Sequence, residues 1–293
     1  MTFIEFISGF DWYVYILLGT LFGSISFIVR KKVLQHEHAL EYTSFRCIIT
    51  FILFFILSFF ISLKISMFHL IIIFLTAFIS STGLIFRNKA VRHGDISSVA
   101  PLGGVTNIFV LVWGILFLSE FPDLNHFFGI ILCFLGIFLI EFNKKFKFKK
   151  LFGKKFIKQY LFAMLLFSID AVILRYLLLQ GLSPFTALFY LWLFITIFII
   201  LKELQDHGLK DLKHFKKDFF LIFWTTFFMF IRNILFLFGL SFPAAQIVLA
   251  KTVDNSSSIF ITFIGGRFFH EKQLIRKSVA ALIILIGSLM IIL

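Results

Sequence analysis

Charge is scarce in this chain. Asp, Glu, Lys and Arg make up 15% of its 293 residues, against 60% hydrophobic residues and a mean hydropathy of +1.02. The shortage excludes a soluble globular domain of this length, whose surface would need far more polar cover. The solvent is therefore largely lipid, and the chain reads as an integral, multi-pass protein of the plasma or inner membrane. Cysteine is scarcer still. The 2 present, Cys47 and Cys133, fall inside apolar runs and leave neither a disulfide framework nor a metal-ligand spacing. Only 4 prolines stand against 47 phenylalanines, which suits long helices facing lipid. A basic stretch ahead of the first apolar run is missing, with Glu5 and Asp11 in its place, so no cleavable signal peptide is expected. No phosphate-binding glycine loop, nucleophile elbow or zinc motif occurs, and neither a cofactor nor an enzymatic activity is expected. The His36-Glu37-His38 run with Glu41 lacks further ligands at defined spacing, and no metal site is expected there.

What the chain has instead is apolar sequence. A bilayer crossing takes about 20 apolar residues, and ten segments qualify: 12–30, 41–63, 67–88, 97–118, 126–142, 157–177, 184–203, 218–240, 243–265 and 274–293. Their runs are unbroken, where a transmembrane β-barrel would alternate over roughly ten-residue units. The expected fold class is all-α integral membrane, with ten transmembrane helices. The basic stretch NKKFKFKKLFGKKFIK follows the fifth segment. It sets the expected organisation: a first five-helix unit over 1–142, a basic linker over 143–156 and a second unit over 157–293.

The two units align with each other. FGSISFIVRKKVLQ (22–35) matches FSIDAVILRYLLLQ (167–180), with Arg30 against Arg175, and NIFVLVWGILFLSE (107–120) matches SIFITFIGGRFFHE (258–271), with Glu120 against Glu271. Each match is weak alone in a chain rich in Ile, Leu and Phe, but both occur in the same order. Five helices is an odd number, so the second copy enters the membrane from the opposite side. The expectation is two inverted repeats, an architecture that secondary transporters use for alternating access.

Several stretches resemble the EamA-type members of the drug/metabolite transporter superfamily, which are ten-helix carriers. They are the small residues from Gly19 to Ser26, Arg46 in the second helix, SSVAPLGGVTNIFVLVWGILFLSE with Glu120, and FFGIILCFLGIFLI with Gly129 and Gly136. AAQIVLAKTVDNSSSIFITFIGGRFFHE and VAALIILIGSLMIIL repeat the last two elements. The resemblance implies the fold and a transport function without fixing a substrate. It also implies that both termini lie inside. Charge argues the opposite. Most of the 28 Lys and Arg fall in the loops after helices 1, 3, 5, 7 and 9, and the positive-inside rule puts those loops in the cytoplasm and the termini outside. The net charge of +13 is thus read as membrane orientation, not nucleic-acid binding.

Polar residues at membrane depth are the candidate site. On a ninth helix, Lys251, Asp254, Asn255, Ser258 and Thr262 fall in one stripe roughly 100° wide, with apolar residues such as Ile247, Val248 and Val253 on the other side. One charge at the bilayer centre costs about 2.5–3.5 kcal/mol on insertion scales. Lys251 and Asp254 either neutralise each other or line a substrate cavity. Opposite them in the repeat stand Gly103, Gly104 and Asn107. Asp170, midway along the sixth helix, and Arg232-Asn233, midway along the eighth, give with Lys251 and Asp254 two positive and two negative charges. Such a balanced set suits a zwitterion, or two structural ion pairs. Asp170 is the candidate for proton coupling, since a carboxyl group removed from water is disposed to carry a proton. Arg46 either snorkels to the interface or joins the site. Arg30 and Arg175 are read as helix-end anchors, and Glu120 and Glu271 as structural.

The function expected is a secondary transporter that moves a small polar or amphipathic metabolite, such as an amino acid, by alternating access through a cavity between helices 4, 6, 8 and 9. The partners expected are this small-molecule substrate, membrane lipid and a coupling proton or ion, with no nucleic acid. A lipid or lipid-linked sugar flippase is the alternative within transport. A membrane-embedded enzyme would need its polar residues near one interface, whereas these lie at mid-depth.

Overall fold

A computed structural model of the chain describes residues 10–93, 103, 105–141, 155–206 and 218–268, with a few scattered positions between 279 and 290. Among them no strand occurs. The helices are α1 Trp12–Val33, α2 Ala39–Ser58, α3 Met67–His93, α4 Val105–Leu118, α5 Leu124–Glu141, α6 Lys155–Leu179, α7 Pro184–Asp206, α8 Phe219–Leu240 and α9 Ile247–Asn255. Six of these, α1–α3 and α6–α8, are long and apolar enough to cross a membrane, while α4 and α5 are shorter apolar helices. The expected tenth segment lies outside the described residues, apart from isolated positions.

Helix ends overrun the apolar windows where cations begin. α1 continues through Arg30, Lys31 and Lys32, and α3 runs on to His93. Lysine and arginine are good helix formers and favour the negative end of the helix dipole, so nothing in these residues stops the helix. Lys31, only 8% exposed, turns its ammonium to the carbonyl of Val91 at 2.7 Å, near the C-terminus of α3.

Lipid offers apolar side chains no advantage in leaving it, so helices associate through close packing and hydrogen bonds. The main contacts join α1 to α8, α3 to α6, α2 to α7, α3 to α7, α2 to α8, α4 to α6, α9 to α1 and α4 to α9. α1 and α8 touch backbone to backbone: a Cβ on Gly239 would stand 2.8 Å from the Trp12 carbonyl oxygen and 2.9 Å from Ile16 Cγ1. Nearby, Ser26 Oγ donates to the Thr225 carbonyl at 2.8 Å. Asn88 Nδ2 donates to Thr43 Oγ1 at 2.7 Å, and Ser44 Oγ to Glu203 Oε2 at 3.1 Å. Such bonds between membrane helices contribute about 0.6 kcal/mol each. The outer faces carry exposed apolar residues such as Ile71 and Phe78 of α3.

α9 departs from the sequence expectation. Ile247, Val248, Ala250 and Val253 are all buried. The side opposite the charges therefore packs on other helices and does not face lipid. The helix also stops at Asn255, turns at Ser256, and resumes as Ser257–Phe260 and a π-helical turn at Ile261–Gly265. Asp, Asn and Ser side chains compete for backbone hydrogen bonds; Ser256 Oγ donates to the Val253 carbonyl at 2.6 Å. The expected stripe from Lys251 to Thr262 on one straight helix is thus interrupted after Asn255.

Candidate functional site

A cavity of about 220 Å³ lies inside the bundle, walled by residues of α1–α4 and α6–α9, with Gly103, Ser257 and Ile261. Arg46, Asp170, Arg232, Asn233, Lys251, Asp254 and Asn255, all singled out by the sequence, line it. Asn107 does not. It is buried at the α4–α9 contact, accepting from Asn255 Nδ2 at 2.5 Å and facing Thr252 Oγ1 at 3.4 Å. The fourth and ninth helices touch directly here, and both also line the cavity, α4 through Thr106. The Ser258 and Thr262 side chains, Gly104 and Glu271 lie outside the described residues.

The expected charges meet around Asp254. Arg232 Nη2 pairs with its Oδ2, and Lys251 Nζ lies 4.0 Å from the same oxygen. Arg232 Nη1 also donates to Asn233 Oδ1 at 3.3 Å. Both cations sit over the Phe236 ring, at 4.9 Å for Arg232 and 4.5 Å for Lys251. Asp254 thus answers two cations, and Lys251–Asp254 is not a closed pair. Asp170 lies beside Ser80 and within electrostatic reach of Lys251 and Arg232, but its buried Oδ1 makes no hydrogen bond among the described residues.

Sequence reasoning missed the other end of the cavity. Arg30, Arg87 and Tyr160 line it together with Arg46. Arg30 is 1% exposed, so its expected duty as an interfacial anchor is corrected, and Arg46, also 1% exposed, does not snorkel. Arg46 lies over the Trp192 ring at 5.4 Å, Arg87 over Phe167 at 4.9 Å and Arg30 over Phe27 at 5.3 Å. The three guanidinium groups lie close enough to repel one another. Six of their nitrogens, Nε and Nη1 of Arg30 and Arg46 and Nε and Nη2 of Arg87, make no hydrogen bond among the described residues. Tyr42 lies beside Arg30, but without hydrogen-bonding geometry. The balanced charge set expected from the sequence is therefore incomplete: five cations and two carboxylates line the cavity. Arg87 escaped notice and Arg30 was read as an anchor because both stand within two turns of helix ends, where a cation reads as a loop or interface residue.

Arg175 follows Leu174, which lines the cavity. Its Nε donates to Glu120 Oε1 at 2.8 Å, its Nη1 to the carbonyls of Leu240 and Phe242 at 2.6 and 3.0 Å, and its Nη2 to that of Pro243 at 3.1 Å. Glu120 Oε2 accepts the Ile247 N–H at 2.6 Å, satisfying an amide that the first turn of α9 leaves free. Glu120 has the structural role expected of it, whereas Arg175, 2% exposed, is no interfacial anchor; together they tie the ends of α4, α6 and α8 to the start of α9. The His38 ring nitrogen Nδ1 faces Arg92 Nη1 at 2.9 Å.

These features define a class: a multi-pass α-helical membrane protein with a charged cavity within the bundle. Residues 11–142 match the EamA-like transporter family, in line with the EamA-type resemblance of the sequence. A solved structure described only as "Crystal structure of protein" aligns with a TM-score of 0.67, covering 93% of this chain and 95% of that one at 9% identity. At that identity the likeness shows the fold alone. No curated protein matches the chain.

Proposed function

We propose that the chain is a secondary transporter that carries a small polar or amphipathic metabolite through the central cavity by alternating access between two inverted five-helix repeats. The observation that carries this reading is the cavity itself: charged side chains from both halves converge at membrane depth, which membrane proteins tolerate where a polar solute passes. The helix contacts support the repeat. Exchanging each helix of the first five with its counterpart in the second turns α1–α8 into α6–α3, α3–α7 into α8–α2 and α4–α6 into α9–α1, while α2–α7 and α4–α9 map onto themselves. The Arg175–Glu120 network serves as the seal of one entrance, and Asp170, with an unanswered acceptor, is the group that takes the coupling proton. Because the basic loops follow α1, α3, α5 and α7, the entrance opposite the seal faces the cytoplasm.

Proteoliposomes test this. Counterflow uptake would be measured with a panel of labelled amino acids and small organic acids. Accumulation of at least one member, abolished in the Arg232→Ala protein, is the expected result. No accumulation of any member, with a cysteine placed at Asn255 reactive from one side of the membrane only under all conditions, would sink the reading.

A further inference from the structure

The Arg30, Arg46 and Arg87 cluster has no use in the mechanism above. Each guanidinium sits in a packed wall of the cavity, and six of their nitrogens are buried without a hydrogen bond. No carboxylate answers any of the three among the described residues; both carboxylates lining the cavity belong to its other half, where Asp254 is engaged by Arg232 and Lys251. Arg30, Arg46, Arg87 and Tyr160 lie within seven residues of the ends of α1, α2, α3 and α6 respectively. At 1.5 Å rise per residue this is about 10 Å or less from the helix ends. Aromatic faces of Phe27, Trp192 and Phe167 support the guanidinium planes. They steady the arginines without supplying a negative charge.

Cations removed from water are costly unless paired, and here like charges are also held together. A fold that needed these residues only for packing would pair them, as it pairs Arg175 with Glu120 and three carbonyls. Arginine is the side chain whose planar fork matches the oxygens of phosphate and carboxylate groups. Resting on the transport reading, we propose that Arg30, Arg46 and Arg87 form an oxyanion subsite at the end of the cavity remote from Glu120, which takes the phosphoryl or carboxylate group of a net-anionic solute.

The test uses the full-length protein in neutral detergent. Inorganic phosphate and succinate are the probes, glycerol is the uncharged control, and the readout is the fluorescence of Trp192, taken as the difference from the Trp192→Phe protein. Saturable quenching by phosphate or succinate but not glycerol is expected, more than tenfold weaker in Arg46→Gln and Arg87→Gln and partly retained in Arg46→Lys. Either no saturable response in the unaltered protein or undiminished affinity in both glutamine variants would overturn the proposal. The unaltered protein decides the first point even if a variant fails to fold. Repeating the titration in nanodiscs assigns the source. Competition by phosphatidylglycerol over phosphatidylcholine makes the oxyanion that of a lipid headgroup, and its absence makes it that of a soluble metabolite; both support the subsite. Oxyanion binding without counterflow would refute only the transport reading. Counterflow of an uncharged or zwitterionic solute without oxyanion binding would refute only the subsite.

Discussion

Glu120 holds Arg175 through one carboxylate oxygen at 2.8 Å and the first backbone amide of α9 through the other at 2.6 Å. The salt bridge is 2% exposed on the arginine side and 10% on the glutamate side. Removing one partner of such a pair leaves a buried charge unanswered. Glu120→Ala is expected to cost roughly 3 kcal/mol, the low end for a buried pair because Arg175 keeps its three carbonyls. Glu120→Gln, which still offers an oxygen to Ile247, costs less. Thermal unfolding in detergent measures both, and an unchanged Glu120→Ala protein would contradict the seal.

Arg232 and Asp254 form one unit with Lys251. In a double-mutant cycle, Arg232→Gln with Asp254→Asn is expected to be less destabilised than the sum of the single variants, by about 1 kcal/mol or more. Additive single effects would show that the ion pair does not act in the native state. Transport is expected to be lost in all three proteins.

Two glycines separate packing from function. Gly239→Ala drives a methyl group into the Trp12 carbonyl and should cost about 1–3 kcal/mol, as overpacking does. At Gly103 the nearest atoms are Tyr160 Oη at 3.5 Å and Asn255 Oδ1 at 3.8 Å, an ordinary contact. Gly103→Ala should keep its melting temperature while its methyl group narrows the cavity and slows counterflow. Equal melting shifts for the two variants would refute this contrast.

Asp170→Asn is expected to abolish uptake driven by a proton gradient while leaving exchange of solute for solute. If gradient-driven uptake persists at the level of the unaltered protein, Asp170 has no part in coupling.

Orientation is tested at exposed positions of two short connections. A cysteine at His36, beside the basic end of α1, should react with an impermeant maleimide only from the cytoplasmic side, and one at Ser183 only from outside. The reverse pattern would reinstate the topology that the family resemblance implies.

Much of this molecule is legible in its residues. Apolar runs located α1, α3, α6, α7 and α8 to within a few residues, because a lipid solvent demands long apolar helices whatever their neighbours. Lys251, Asp254, Arg232 and Asp170 were legible because charge inside such a run has few roles. The partner of Asp254 was not. Spacing favoured Lys251, three residues away on the same helix, whereas the closest cation is Arg232 from α8. The break in α9 was obscured because the sequence before and after it stays apolar.

The sequence by itself determined that the chain lives in lipid, where its helices run and which of them carry charge, since composition and periodicity are local properties. Tertiary structure decided which charges meet. Arg30 and Arg175 match in the repeat alignment and stand three and four residues from their helix ends, yet Arg175 is bound to Glu120 and three carbonyls while Arg30 faces the cavity with two nitrogens unused. Electrostatic energy depends on distance in space, and no pattern along the chain records how far Arg46 stands from Arg87.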